Sequence, residues 1–317
     1  MSMKVTRGYA GGQRRPFPVA TIGNFDGHHR GHRALLDRVV ETARRMDGTA
    51  MVLTFDPHPV KILAPHVDLK FLTSPEEKLQ RFEAAGIDEV VFLEFTPAFA
   101  ALSPEIFAQE VLYRGLRVRQ IFVGQHFAFG KGRTGTVMTL TSLGQQFGFL
   151  VDPVEPVLAE GGVVSSTRVR KLIQEGQVEQ AARLLGRQYT LSGSVVRGAQ
   201  RGQELGWPTA NLKVPSERVL PRDGVYATVT RWNQQLFDSV AYIGKRPTFD
   251  DGERLLEVYL LDERRELYGE RIDVQFLERL RGDVHFPTAD DLSRQIAADV
   301  THAKAILTQH RNTLSTG

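Results

Sequence analysis

The stretch Pro18-Val19-Ala20-Thr21-Ile22-Gly23-Asn24-Phe25-Asp26-Gly27-His28-His29-Arg30-Gly31-His32 decides how the first half of this chain folds. Its first five residues are a short apolar run of strand type, and Ala34, Leu35, Val39, Val40 and Ala43 beyond it recur at helical spacing. The decapeptide between is therefore expected to be a strand-to-helix turn. At such a turn glycines let backbone N–H groups approach an anion, and the free amides of the first helical turn add partial positive charge. His29 and His32 are three apart, so both imidazoles can face the same way. From these residues alone three meanings stay open. In one, the histidines simply satisfy a helix start. His28 and His32, four apart, can share a cation with Asp26 as the nearest third ligand. Or imidazoles and amides stabilise charge building on an α-phosphate during nucleotidyl transfer.

Working outward, residues 17 to about 186 alternate short apolar strands with amphipathic helices, the pattern of a parallel sheet covered by helices on both faces. Ala50 to Phe55, Val90 to Phe95 and Gln120 to Gly124 read as further strands. Ser74-Pro75-Glu76-Glu77 is a helix start with Gly86 as its stop, and Ser103-Pro104 and Gly115 frame another helix. After the helical stretch Val178 to Leu185 the pattern changes. Strands are expected at Tyr189 to Val196, Val225 to Trp232, Leu255 to Leu261 and Ile272 to Leu277, which make a small β-barrel or sandwich. A last helix begins at Thr288 and carries Leu292, Ile296, Val300, Ala303 and Leu307 on one stripe. The expected domains are residues 1–186 and 187–317.

Composition narrows the function classes. With 317 residues, 41% apolar and 24% charged, the chain is long enough for two globular domains and is neither disordered nor fibrous. It has no cysteine, which excludes disulfides and thiolate metal sites and fits a cytoplasmic location. No apolar run approaches the roughly 18–20 residues of a membrane span, and the amino terminus has no signal-peptide core. The net charge of +3 is scattered, without the basic clusters and aromatic platform of a nucleic-acid surface. Small anionic substrates suit it, with no nucleic-acid or membrane partner expected; any homo-oligomer is expected to be weak.

Nucleotidyl transfer predicts a second phosphate-contacting segment, and Ser165-Ser166-Thr167-Arg168-Val169-Arg170 supplies hydroxyls, helix amides and guanidinium groups. In the second half, Gly193-Ser194-Val195-Val196-Arg197-Gly198, then Arg201-Gly202 and Leu205-Gly206-Trp207-Pro208-Thr209-Ala210-Asn211, argue for backbone close to a ligand. Thr209 and Asn211, two apart, lie on one side of an extended segment and offer hard oxygen donors of the kind Mg²⁺ accepts. Glu257 shares a strand face with Leu255, Tyr259 and Leu261, which makes it a candidate base.

The pairing of His-x-Gly-His with Ser-Ser-Thr-x-x-Arg resembles the nucleotidyltransferase superfamily. More sharply, Gly23-Asn24-Phe25-Asp26-Gly27, Phe55-Asp56-Pro57-His58-Pro59, Val123-Gly124 with Phe127, Phe129-Gly130 and Arg133, and Ser165-Ser166-Thr167 resemble the adenylyltransferase half of the bacterial riboflavin kinase/FAD synthetase family. The Gly-x-Pro-Thr-Ala-Asn stretch, Gly244-Lys245-Arg246-Pro247-Thr248-Phe249, Leu256-Glu257-Val258-Tyr259 and Leu280-Arg281 with Phe286 resemble its kinase half. The resemblance implies a Rossmann-like nucleotidyltransferase domain followed by a Greek-key β-barrel with a terminal helix. It implies riboflavin, FMN and ATP as substrates, FMN and FAD as products, and Mg²⁺. For adenylyl transfer it places ATP against Gly23, Phe25, Asp26, Gly27, His29, His32, Gly124, His126, Gly130, Arg133, Ser166, Thr167 and Arg170, with Arg170 on the triphosphate. Flavin is placed against Asp56, Pro57, His58 and Pro59. For the kinase it places ATP against Gly198, Arg201, Gly202, Gly206, Pro208, Thr209 and Asn211, metal on Thr209 and Asn211, and flavin against Glu257, Arg281 and Phe286. His29, His32, Asn211 and Glu257 are the expected catalytic groups. His28, His126, Trp207 and Arg246 depart from the family pattern. The alternative is an adenylyltransferase for another phosphorylated substrate, with the β half as a flavin-binding or regulatory module.

Overall fold

The computed structural model describes residues 2–9, 15–197, 206–245, 254–263 and 265–315. The expected site residues Gly198, Arg201 and Gly202, and the departure at Arg246, lie outside them. Contacts divide the chain into two compact units, Met1–Ser166 and Thr167–Gly317.

The first unit runs β1 (Lys4–Arg7), β2 (Pro18–Ile22), α1 (Arg30–Arg45), β3 (Thr49–Asp56), α2 (Pro59–Leu63), α3 (Pro75–Ala84), β4 (Glu89–Glu94), α4 (Pro97–Ala100) and α5 (Pro104–Ile106). It continues with β5 (Gln120–Gly124), α6 (Val137–Phe147), β6 (Leu150–Val154) and the short hairpin β7 (Leu158–Ala159) and β8 (Gly162–Val163). Six strands form one parallel sheet in the order β1-β4-β3-β2-β5-β6. Ala20, Ile22, Met51 and Leu53 pack with Phe107, Val111 and Leu140 on one face, while Val19, Ala50, Val52 and Val90 pack with Leu36, Val39 and Phe82 on the other. Burial of both faces explains why the central strands β2, β3, β4 and β5 read as apolar runs. The expected capping box at Ser74 and Glu77 is formed. The helix expected from Ser103 to Gly115 is present, but after α5 it widens into a π-helix over Phe107–Gly115. Strand order reverses between β2 and β5, so a crevice opens at the carboxyl ends of these neighbours.

The second unit begins within α7 (Ser166–Gln174) and continues through α8 (Val178–Leu185), β9 (Tyr189–Val196), β10 (Ala210–Lys213), β11 (Gly224–Trp232), β12 (Gln235–Lys245), β13 (Arg254–Leu260), β14 (Arg271–Arg281) and α9 (Ala289–Ser315). Its strands close an antiparallel barrel in the order β10-β13-β12-β11-β14-β9, which settles the barrel-or-sandwich alternative. Leu212, Leu256, Val258 and Phe276 are buried inside, while Val225, Ala227, Val240 and Leu261 on the outer face are covered by Val300, Ala303 and Leu307 of α9. Helix α9 is capped by Thr288, whose hydroxyl accepts from the Asp291 amide.

Candidate active sites

Topology brings the expected adenylyl-transfer segments of the first unit together. The loops after β2, β3 and β5 carry Gly23–His32, Asp56–Pro59 and Gly124–Arg133, and these strands are adjacent, with β2 central. The first loop is tightly wound, with Phe25, Gly27 and His28 all at positive φ. At Gly27 (φ 86°) a methyl group would also collide with Leu72, so glycine is required there. Phe25 is almost fully buried and its ring packs on His32 and Phe82, so it supports the loop from beneath.

Asp26 is 3% exposed. Its carboxylate accepts from the backbone amides of Leu72 and Thr73 and from the Thr73 hydroxyl, all at 3.0 to 3.1 Å. The Thr73 hydroxyl in turn accepts from Gly27 N. The expected ATP contact at Asp26 is thus a carboxylate engaged in stapling the loop to the segment before α3. Its carbonyl accepts from Ser166 Oγ at 2.8 Å, which joins the two phosphate turns that the sequence paired. Thr167 and Arg170 follow on α7, in the second unit.

His29 is the N-cap of α1, and its Nδ1 accepts from His32 N at 3.2 Å. An accepting Nδ1 leaves the proton of a neutral ring on Nε2, so the one N–H donor of His29 is at Nε2. The rings of His29 and His32 stack at 3.6 Å, and Gly31 leaves room for this, since a methyl there would press on the His29 ring. His58 repeats the device by capping α2, its Nδ1 accepting from Val60 N while the ring meets Phe71 edge-on. Among the described residues, no group of three or more His, Cys, Asp or Glu side chains is arranged to hold a metal ion.

The remaining expected contacts are placed as follows. Asp56 pairs with Arg7 of β1 at 2.8 Å. Gly124 faces open space, and His126 and Arg133 are exposed beyond β5. Gly130 abuts Pro104, leaving no room for a side chain.

In the second unit the decisive geometry is a ladder register. Asn211 stands directly opposite Glu257 across β10 and β13, which puts their side chains on one face of the barrel. Leu256 and Val258 point inside and are 1% exposed, so Glu257 faces outward with Tyr259. Asn211 is 6% exposed. Trp207 meets Tyr259 edge-on at 5.4 Å and its indole N–H donates to Ser293 of α9 at 3.2 Å, which anchors this segment to the helix. A cavity of about 510 Å³ is lined by Gly206, Pro208, Thr209 and Ala210, with Glu266 and Tyr268 opposite. Thr209 borders it; Asn211 and Glu257 do not line it. Arg281 pairs through two nitrogens with Asp299 of α9, donates to Gly282 O, and lies 5.4 Å from the Phe286 ring. Its guanidinium therefore holds α9 to the barrel beside Phe286.

Comparison with known proteins agrees with this geometry. Residues 13–168 match the FAD synthetase family model and residues 185–307 match the riboflavin kinase model. The bifunctional riboflavin kinase/FMN adenylyltransferase of Escherichia coli K12 is 39% identical over 306 residues, which cover 95% of this chain and 97% of that one. Its counterpart from Listeria monocytogenes is 35% identical over 90% of this chain and 91% of its own. The chain belongs to the bifunctional riboflavin kinase/FMN adenylyltransferase family. A crystal structure of a protein described as a macrolide-efflux protein from Streptococcus pneumoniae shares the fold, with a TM-score of 0.88 and 30% identity over 96% of this chain and 99% of that one. Efflux is the description of that protein; among the described residues here, no helix is long and apolar enough to cross a membrane.

Within this family framework, two residues absent from the expected set emerge at the first site. Asn24 Oδ1 is buried without a hydrogen-bond partner among the described residues. Lys78, on α3 just after the capping box, makes no ion pair with a described residue. Burial pushes its amine below the ordinary lysine value, against the pull of Asp26 and Asp56. Asn24 sat inside the quoted motif and its polarity could have flagged it. Lys78 looks like any surface lysine of an amphipathic helix until α3 is docked.

Proposed function

We propose that residues 187–317 transfer the γ-phosphate of ATP to riboflavin, giving FMN and ADP, and that residues 1–186 join AMP to FMN, giving FAD and pyrophosphate. The observation that carries the reading is the placement of Asn211 opposite Glu257 on one barrel face, because a phosphate-side carboxamide and a base must share one face for in-line transfer.

In the kinase step the Glu257 carboxylate accepts the proton of the terminal ribityl hydroxyl as its oxygen bonds to the γ-phosphorus and the bond to ADP breaks. Thr209 and Asn211 offer a hydroxyl and a carboxamide oxygen, hard donors that fit Mg²⁺ alongside phosphate oxygens and water. Bound there, the cation would neutralise phosphate charge. In the adenylyl step an FMN phosphate oxygen attacks the α-phosphorus and pyrophosphate leaves, with no covalent enzyme intermediate. His29 donates from Nε2, and His32, the α1 amides and the Ser166 turn complete the anion cradle. Asp56, Pro57, His58 and Pro59 receive the flavin side. Arg281 and Phe286 border the riboflavin site. We assign the enzyme to the cytoplasm, where ATP is at hand, with weak self-association at most and no nucleic-acid or membrane partner.

Incubation with riboflavin, ATP and Mg²⁺, followed by chromatographic separation of the flavins, tests the whole scheme. FMN and FAD are expected. Unchanged riboflavin overturns it, and FMN alone overturns the adenylyl half. Asn211→Ala or Glu257→Gln should abolish FMN formation while supplied FMN is still converted to FAD.

A further inference from the structure

One transverse row of the barrel sets Val196, Asn211, Glu257, Tyr242, Val225 and Arg281 side by side, one residue from each strand. Tyr242 is the polar member of this row that the kinase scheme does not use. It faces Glu257 across β12 and β13, on the flank away from Asn211, where β-carbons of opposed residues lie about 4.5–5.5 Å apart. The ring lies along its own strand over Gly244, where a methyl group would fall on the phenol oxygen. The hydroxyl donates to Asp283 Oδ1 at 3.1 Å. Contact with Gly244 and Asp283 therefore fixes the ring, and its single proton is directed away from Glu257.

We propose that Tyr242 is a positioning residue for Glu257: the phenol, held over Gly244 and by Asp283, walls the carboxylate on the side opposite Asn211. The proposal rests on the kinase reading above. A glutamate has three side-chain torsions, and confining it between a carboxamide and a fixed ring removes rotamers that would carry it off the ribityl hydroxyl. The ring is steadied further by packing against the apolar cluster that the outer face of the barrel shares with α9. Burial pushes the phenol well up, so it stays a neutral wall beside the carboxylate.

The test uses the full-length chain with Tyr242→Phe and Tyr242→Leu, following the steady-state kinetics of riboflavin phosphorylation. FMN adenylylation and melting temperature of the same preparations serve as controls for folding. Tyr242→Leu should lower kcat about tenfold with little change in KM, and Tyr242→Phe, which keeps the ring, should stay within about twofold of the parent. Kinetics of Tyr242→Leu that match the parent's, or a kcat loss that merely follows loss of melting temperature, would overturn the positioning role while leaving the kinase reading intact. A parent chain that makes no FMN at all would overturn the reading, and the role with it.

Discussion

Asp26→Asn separates a structural carboxylate from one that touches substrate. The native side chain takes the Leu72 and Thr73 amides and the Thr73 hydroxyl at 3.0 to 3.1 Å while 3% exposed. Asparagine can keep its oxygen at the Oδ1 position, where all three donors point, but its NH₂ group then faces the Leu72 N–H that Oδ2 also accepts. Charge-assisted bonds of about 1.5–3 kcal/mol become neutral ones of about 0.5–1.5 kcal/mol, with a donor-to-donor contact at Leu72. Allowing for relaxation, the net loss is about 3 kcal/mol, which at about 2–4 °C per kcal/mol lowers the melting transition of the first unit by about 6–12 °C. Calorimetry reads that shift, and flavin chromatography should show FAD synthesis failing while FMN synthesis continues. If the variant melts within about 2 °C of the parent and FAD synthesis still collapses, the carboxylate acts on substrate and the staple argument is wrong. If neither changes, the hydrogen bonds carry no weight.

Lys78→Met should impair FAD synthesis, through a raised KM for FMN or ATP, and spare FMN synthesis, as steady-state kinetics of the two half-reactions would show. Its pH effect has a definite sign: the folded amine lies below its ordinary value of 10.5, so the unfolded chain binds the extra proton and stability rises with pH through the window below 10.5. Denaturant midpoints of parent and Lys78→Met against pH should differ by that slope. Removing one member of the Arg281–Asp299 pair should cost about 2–4 kcal/mol, because the partner charge is left largely buried, whereas the double leucine variant should lose less. Urea unfolding of the three variants checks this. Gly31→Val should displace the His29 ring and lower FAD synthesis without affecting FMN synthesis.

The four central strands of the sheet, β2 to β5, were legible because each reads as a short apolar run, and several helices because of a capping signal, as at Ser74 and Thr288. The hidden features depend on docking. Lys4 to Arg7 is a four-residue strand, three of whose residues are exposed, and it forms by adding to the edge at β4; no periodicity of its own marks it. The choice of barrel over sandwich rests on closure between β9 and β10, which strand patterning does not encode. At the sites, motif spacing identified Asp26 and Arg281 as important but not what they do. Both point their charge at the protein, one at backbone amides and one at Asp299. Tyr242 was missed because a tyrosine in an apolar strand reads as core; its role depends on register with Glu257, two strands of barrel folded together.

The two units build phosphate chemistry by different means, and the difference has consequences. In the parallel sheet, side chains along β2, β3 and β5 are consumed by two buried faces, so the polar groups must come from loops at the carboxyl ends, held by staples such as Asp26 to Thr73 and Ser166 to Asp26. Precision there depends on bonds that a single substitution can release. In the barrel one face is partly free of the core, so Asn211, Glu257 and Tyr242 can sit on the strands themselves and inherit their spacing from the ladder. A substitution that shortens one of these side chains leaves its neighbours in place. Damage to the first site should therefore spread through loop geometry into both binding and stability, while damage to the second should appear as loss of one chemical group at a time.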